Sequence, residues 1–117
     1  PTLIVRADMD ALPIQEETTH DFVSTIRGRM HACGHDGHVA IGLAVAERLA
    51  RRKDQIRGAV RYVFQPAEEG LGGANKMLAE GVLDDVAAAM GLHLWPGLES
   101  GVVGGVEGPQ LAGSHEF

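Results

Sequence analysis

Three short apolar runs, each followed by residues able to do chemistry, limit what this chain can fold into. Leu3-Ile4-Val5 leads into Arg6-Ala7-Asp8-Met9-Asp10, Ala59-Val60-Arg61-Tyr62-Val63-Phe64 into Gln65-Pro66-Ala67-Glu68-Glu69, and residues 86–92 into His93. Apolar runs of this length read as strands, and residues 59–64 are rich in β-branched and aromatic residues as well. Residues 59–64, apolar apart from Arg61, read as an inner strand covered on both faces. Between the first two runs, Val39, Leu43, Ala46 and Leu49/Ala50 recur at helical spacing, with Asp36 as the expected N-cap and Arg51-Arg52-Lys53 complementing the dipole at the far end. Gly70-Leu71-Gly72-Gly73 leads into a second helix over about residues 74–80, stopped by Gly81. Strand, helix, strand, helix, strand in this order predicts an α/β fold with parallel strands joined by right-handed crossovers. Residues 14–29 have no sustained period and are expected to form a loop or a weak hairpin. Residues 101–117, Gly-rich with alternating Val, are expected to form one or two short strands.

Open α/β sheets bind ligands outside the carboxyl ends of their strands. By that rule Asp8 and Asp10, Glu68 and Glu69, and His93 fall along one sheet edge. Met30-His31-Ala32-Cys33-Gly34-His35-Asp36-Gly37-His38 joins them, with three imidazoles, the chain's single thiol and a carboxylate. Cys33 and His35 are two residues apart, so in a loop their side chains can converge on one point and suit zinc, cobalt, nickel or manganese. Adjacent Glu68 and Glu69 point different ways if the backbone is extended, leaving one for a metal and the other for the substrate side. Asp8 and Asp10 sit on one side of the pleat and suit a supporting role, orienting a ligand imidazole.

Thiol catalysis is the competing reading, with Cys33 as nucleophile and His31 or His38 as base, but it leaves the glutamate pair and His93 without a task. A non-catalytic metal-binding module is a third. A zincin-type helix at His31 and His35 fails, because Ala32 stands where that mechanism needs Glu. The net charge of −6, with no basic block beyond Arg51-Arg52-Lys53, argues against a nucleic-acid partner. No apolar stretch approaches the ~18 residues of a membrane span. One cysteine cannot form an internal disulfide, which makes a reducing cytoplasm the expected compartment. The opening at Pro1 and the ending at Phe117 read as those of a piece of a longer protein.

Four motifs, in order and spanning nearly the whole chain, resemble the M20 metallopeptidase family: residues 6–13 (RADMDALP), 30–38 (MHACGHDGH), 64–70 (FQPAEEG) and 91–93 (GLH). They are most similar to its amidohydrolase branch, which includes N-acyl-amino-acid amidohydrolases, hippurate hydrolases and indole-acetyl-amino-acid hydrolases. The resemblance implies a three-layer α/β catalytic domain with a mostly parallel sheet, interrupted by a lid domain that often dimerises. It implies two divalent metal ions and cleavage of the amide of an N-acyl amino acid. Residue by residue, it implies Cys33, His35, Glu69 and His93 as metal ligands and Glu68 as general base. Asp8, Asp10 and Asp36 match motif positions in supporting roles. Residues 1–107 correspond to the N-terminal part of the catalytic domain, and 108–117 to the crossing toward the lid. The family draws a further histidine ligand from a part beyond residue 117, and His115 is no convincing substitute.

Overall fold

The computed structural model describes residues 1–70 and 72–109. Its elements follow the expected order: β1 (Thr2–Asp8), α1 (His35–Ala50), a 3-10 turn (Lys53–Gln55), β2 (Ala59–Gln65), α2 (Gly73–Ala79) and β3 (Val86–Gly91). The strands form one sheet in the order β2-β1-β3. Both pairings are parallel, with Ile4 opposite Arg61 on one side and Ala89 on the other. This is the α/β class with a parallel sheet that the element order implied.

Residues 59–64 are expected to lie inside the sheet; among the described residues β2 pairs with β1, and its other side has no described neighbour. The central place belongs to β1, and the buried apolar side chains are Ile4 and Ala7 from β1 with Val63 from β2. β3 lies on the other side of β1, and although its run is apolar, Met90 is 63% exposed. An apolar run records that a strand is to be covered; which element covers it is a matter of topology.

α1 begins two residues earlier than expected, with its N-cap at Gly34 instead of Asp36, and without a side-chain cap. Gly34 stands at the N-cap in the left-handed conformation, with φ 79°, and Asp36 lies in the first turn, where a carboxylate favours the helix dipole. The buried face is His35, His38 and Gly42, whereas Leu43 of the expected apolar stripe is 56% exposed. Gly42 explains the shift. A Cβ there would lie 3.2 Å from Phe64 Cε1 and 3.4 Å from Ala7 Cβ, so the helix rests on the sheet through its smallest residue, and its N-terminal turn is pressed toward the strand ends.

Residues 14–29 form no strand, and an antiparallel bridge between Leu12 and Met30 closes their excursion at its base. Residues 101–109 also contain no strand, so the strands expected there are absent from the described part of the tail. Residues 110–117, including His115 and most of the expected lid crossing, lie outside the described residues. No described helix is long and apolar enough to cross a membrane.

Candidate metal centre

Each side chain at the sheet's carboxyl edge arrives on a short, constrained piece of backbone. Asp8 is the last residue of β1, and Asp10 follows two residues on. β2 leaves the sheet through Pro66 and Ala67, and Ala67 takes the left-handed conformation at φ 53°, a costly one for a residue with a side chain. The turn is held from α2, where the Gly73 N–H donates to the Ala67 carbonyl at 3.1 Å. Gly73 itself approaches the Pro66 carbonyl so closely that a Cβ would overlap it. The turn delivers Glu68 and Glu69 to the site. His93 lies two residues beyond β3, and Cys33 and His35 flank the Gly34 start of α1.

The four sequence-distant clusters meet around His35. Three groups of ligand-type atoms, each within 4.8 Å of one another, share it: Cys33 with His93, Asp8 with His38, and Glu68 with Glu69. His35 is 1% exposed. Its Nδ1 lies 3.4 Å from Asp10 Oδ1, and its Nε2 lies 3.7 Å from Asp8 Oδ1 and 3.8 Å from Glu69 Oε1. None of these contacts is a hydrogen bond. Among the described residues, the buried side-chain atoms without a partner are His35 Nδ1, His35 Nε2 and Asp10 Oδ1. A buried polar atom left unpaired costs roughly 1–3 kcal/mol, so three together at one point, facing carboxylates and a thiol, form a site shaped for a cation.

Asp8 is fixed on both oxygens. Arg6 donates to its Oδ2 at 2.7 Å, and its Oδ1 lies 2.5 Å from His38 Nδ1. Burial pushes the Asp8 carboxyl up, but the His38 hydrogen bond, the Arg6 guanidinium and the neighbouring imidazoles of His35 and His38 outweigh it and hold it below its ordinary value. Asp10 behaves alike: burial raises it, and the backbone N–H groups of Glu69 and Glu68 bring it down, with Glu69 N–H donating to Oδ2 at 3.1 Å. Both acids are therefore anions beside His35, one at each ring nitrogen.

Cys33 Sγ lies 3.4 Å from His93 Nε2, and His93 Nδ1 lies 2.7 Å from the Leu94 carbonyl, to which it donates. That bond leaves the His93 Nε2 lone pair facing the thiol. Burial, followed by Glu69, Glu68 and Asp8, pushes the Cys33 thiol up to about 11. Such a thiol is protonated at neutral pH and a poor nucleophile, whereas a bound cation lowers a ligand thiol into its anionic form. The two bases of the thiol reading are also badly placed, since His38 has both nitrogens engaged and His31 is exposed and outside the three groups.

The structure thus brings Cys33, His35, Glu68, Glu69, His93, Asp8 and Asp10 together. Asp36 stays apart, exposed on the first turn of α1. The expected divergence of Glu68 and Glu69 is not found. The bend at Ala67 turns both carboxylates toward His35, because the backbone is not extended there. Sequence reasoning gave His38 no structural part and Arg6 no part at all, although His38 follows His35 by one helical turn and Arg6 shares a strand face with Asp8.

Fold and site together define an α/β protein with a metal-capable centre at the carboxyl edge of a parallel sheet. The match to the model of peptidase family M20/M25/M40 runs over residues 4–108, and the chain belongs to that family. It is 52% identical to an N-acyl-L-amino acid amidohydrolase of Geobacillus stearothermophilus over 97% of its own length and 31% of that protein's. It is 48% identical to an N-acetylcysteine deacetylase of Bacillus subtilis over its whole length and 31% of the relative. Among solved structures, the Bacillus subtilis YXEP protein, described as a dinuclear metal binding peptidase from the M20 family, superposes with a TM-score of 0.82 at 50% identity, covering 84% of this chain and 27% of that one. The chain spans about a third of the length of the curated relatives it matches.

Proposed function

We propose that this chain carries most of the metal site of an amidohydrolase that cleaves N-acyl amino acids to a carboxylate and a free amino acid. His35 carries the reading: a fully buried imidazole with both nitrogens unpartnered, at the junction of three ligand groups. Cys33, His35, Glu69 and His93 are the proposed ligands of two divalent ions, with a further histidine from outside this chain. Bound there, the ions supply Lewis acidity toward the amide carbonyl and lower the pKa of water. Glu68 takes a proton from the attacking water and passes it to the leaving nitrogen as the carbon–nitrogen bond breaks. Asp8 and Asp10 hold the negative field and orient His35. The names of the relatives support the substrate class, since one acts on N-acyl-L-amino acids and another deacetylates N-acetylcysteine. Zinc, manganese, cobalt and nickel all suit this mix of thiolate, imidazole and carboxylate. A homodimer formed through the lid domain completes the proposal.

The two glutamates test it. In the full-length protein, Glu68→Gln is expected to keep its metal and lose turnover of N-acetyl amino acids by roughly 100-fold or more. Glu69→Gln is expected to deplete metal by elemental analysis. The reverse pattern would exchange base and ligand. Turnover that survives exhaustive chelation would refute the metal reading.

A further inference from the structure

His38 is as buried as His35, at 1% exposure, yet its chemistry is the opposite. Its Nδ1 lies 2.5 Å from Asp8 Oδ1, and the Leu94 N–H donates to its Nε2 at 2.9 Å. An ionised carboxylate only accepts and a backbone N–H only donates, so one tautomer satisfies both contacts: Nδ1–H donates to Asp8, and Nε2 accepts from Leu94. No lone pair is left over. The Asp8, His35 and His38 atoms lie within 4.8 Å of one another, but in this arrangement His38 has nothing to offer a cation.

Leu94 is the residue through which that engagement reaches the metal centre. Its carbonyl holds His93 Nδ1 at 2.7 Å and thereby sets the plane in which His93 Nε2 faces Cys33. Its side chain rests on the first turn of α1, where two glycines make room. A Cβ on Gly34 would lie 3.4 Å from Leu94 Cδ1, and a Cβ on Gly37 would overlap that same atom. β3 ends at Gly91, so residues 93 and 94 lie beyond the strand ladder. Their position is set by the His38 bond and the glycine seat, and His38 is in turn tied to Asp8 and Arg6 on β1.

We propose that His38 is a positioning residue: it pins residue 94 to the first turn of α1 through its Nε2 and so aims His93 at the shared ligand cluster. The proposal rests on the reading of His93 as a metal ligand. Two near-isosteric variants of the full-length protein separate the two bonds. His38→Gln places Oε1 near the Nε2 position, keeping the acceptor for Leu94 and losing the donor to Asp8. His38→Asn places Nδ2 near the Nδ1 position, keeping the donor and losing the acceptor.

The readouts are Co2+ affinity of the substrate-free protein, the visible spectrum of the Co2+ form and the thermal midpoint. His38→Asn is expected to weaken Co2+ binding roughly 10–100-fold and to alter the spectrum, as loss of a group that orients a ligand does elsewhere. His38→Gln is expected to stay close to the wild type in both. A purely structural role for His38 would lower both midpoints and leave both spectra unchanged, and that result overturns the proposal. So does a Gln variant as impaired as the Asn variant. Leu94→Pro, which removes the N–H that His38 accepts while leaving the His38 ring intact, is expected to change the Co2+ spectrum in the same direction, and an unchanged spectrum overturns the proposal even if the His38 variants do not fold. His93→Ala is the control. Loss of Co2+ in His93→Ala beside an unaffected His38→Asn overturns the positioning role alone, whereas wild-type Co2+ binding by His93→Ala removes the ligand reading and the proposal with it.

Discussion

Replacing Gly73 with alanine sets two effects of opposite sign against each other, and the structure decides between them. Gly73 is the first residue of α2, and from helix propensity alone alanine would stabilise it by up to about 1 kcal/mol. The added Cβ, however, would overlap the Pro66 carbonyl oxygen and stand 2.8 Å from the Pro66 carbonyl carbon and 3.2 Å from the Ala67 oxygen. All three are backbone atoms, so no rotamer change relieves the clash. Forcing an extra carbon into a close-packed contact costs roughly 1–3 kcal/mol. A backbone overlap this severe puts the cost at the upper end, so the net expectation is destabilisation by about 2 kcal/mol, the overpacking cost less the propensity gain. The strain falls on the Pro66–Ala67 turn, which already holds Ala67 at φ 53° and carries Glu68 and Glu69. Metal affinity is therefore expected to drop with stability, by roughly tenfold, as the Glu69 N–H leaves Asp10 and the carboxylates move away from His35. Matched denaturant melts of full-length wild type and Gly73→Ala, with metal competition against a chromophoric chelator, measure both quantities. A variant as stable as the wild type or more so, with unchanged metal affinity, would refute this account of the turn.

Asp8 predicts a pH dependence. Its carboxyl is held below its ordinary value of 3.8, so as pH falls below that value the unfolded chain takes up the proton first. The stability Asp8 contributes is present above that value and is lost as pH falls through the folded pKa. Asp8→Asn is expected to be less stable near neutrality and to lose part of the wild type's acid dependence below pH 4, in metal-free melts at matched ionic strength; an unchanged slope would contradict it. Residues 1–117 expressed alone are expected to show little or no turnover of N-acyl amino acids even with added metal, since β2 and β3 are open edges, Met90 is exposed and the proposed distal histidine is absent. Turnover by the purified 117-residue chain near the full-length rate would show that these residues suffice.

The element order, the parallel pairing and the place of the chemistry were legible in the residues alone. Those follow from local signals: apolar runs of strand length, helical spacing between them, and polar residues directly past each run. They also brought Asp8, Asp10, Cys33, His35, Glu68, Glu69 and His93 to one edge, because the carboxyl ends of parallel strands lie side by side. Tertiary structure decided what depends on distance between segments far apart in the chain. Among the described residues it placed β1 between β2 and β3, since an apolar run does not name its neighbour. It rested α1 on the sheet through Gly42, where Phe64 and Ala7 approach too closely for a side chain. It bent Glu68 and Glu69 together through one left-handed alanine held by the glycine behind it. It also separated three histidines that look alike in one motif: His31 exposed, His35 buried and unpartnered, His38 buried with both nitrogens bonded. Residue type fixes what an imidazole can do, but only the partners within about 3 Å decide whether its lone pair remains free for a metal.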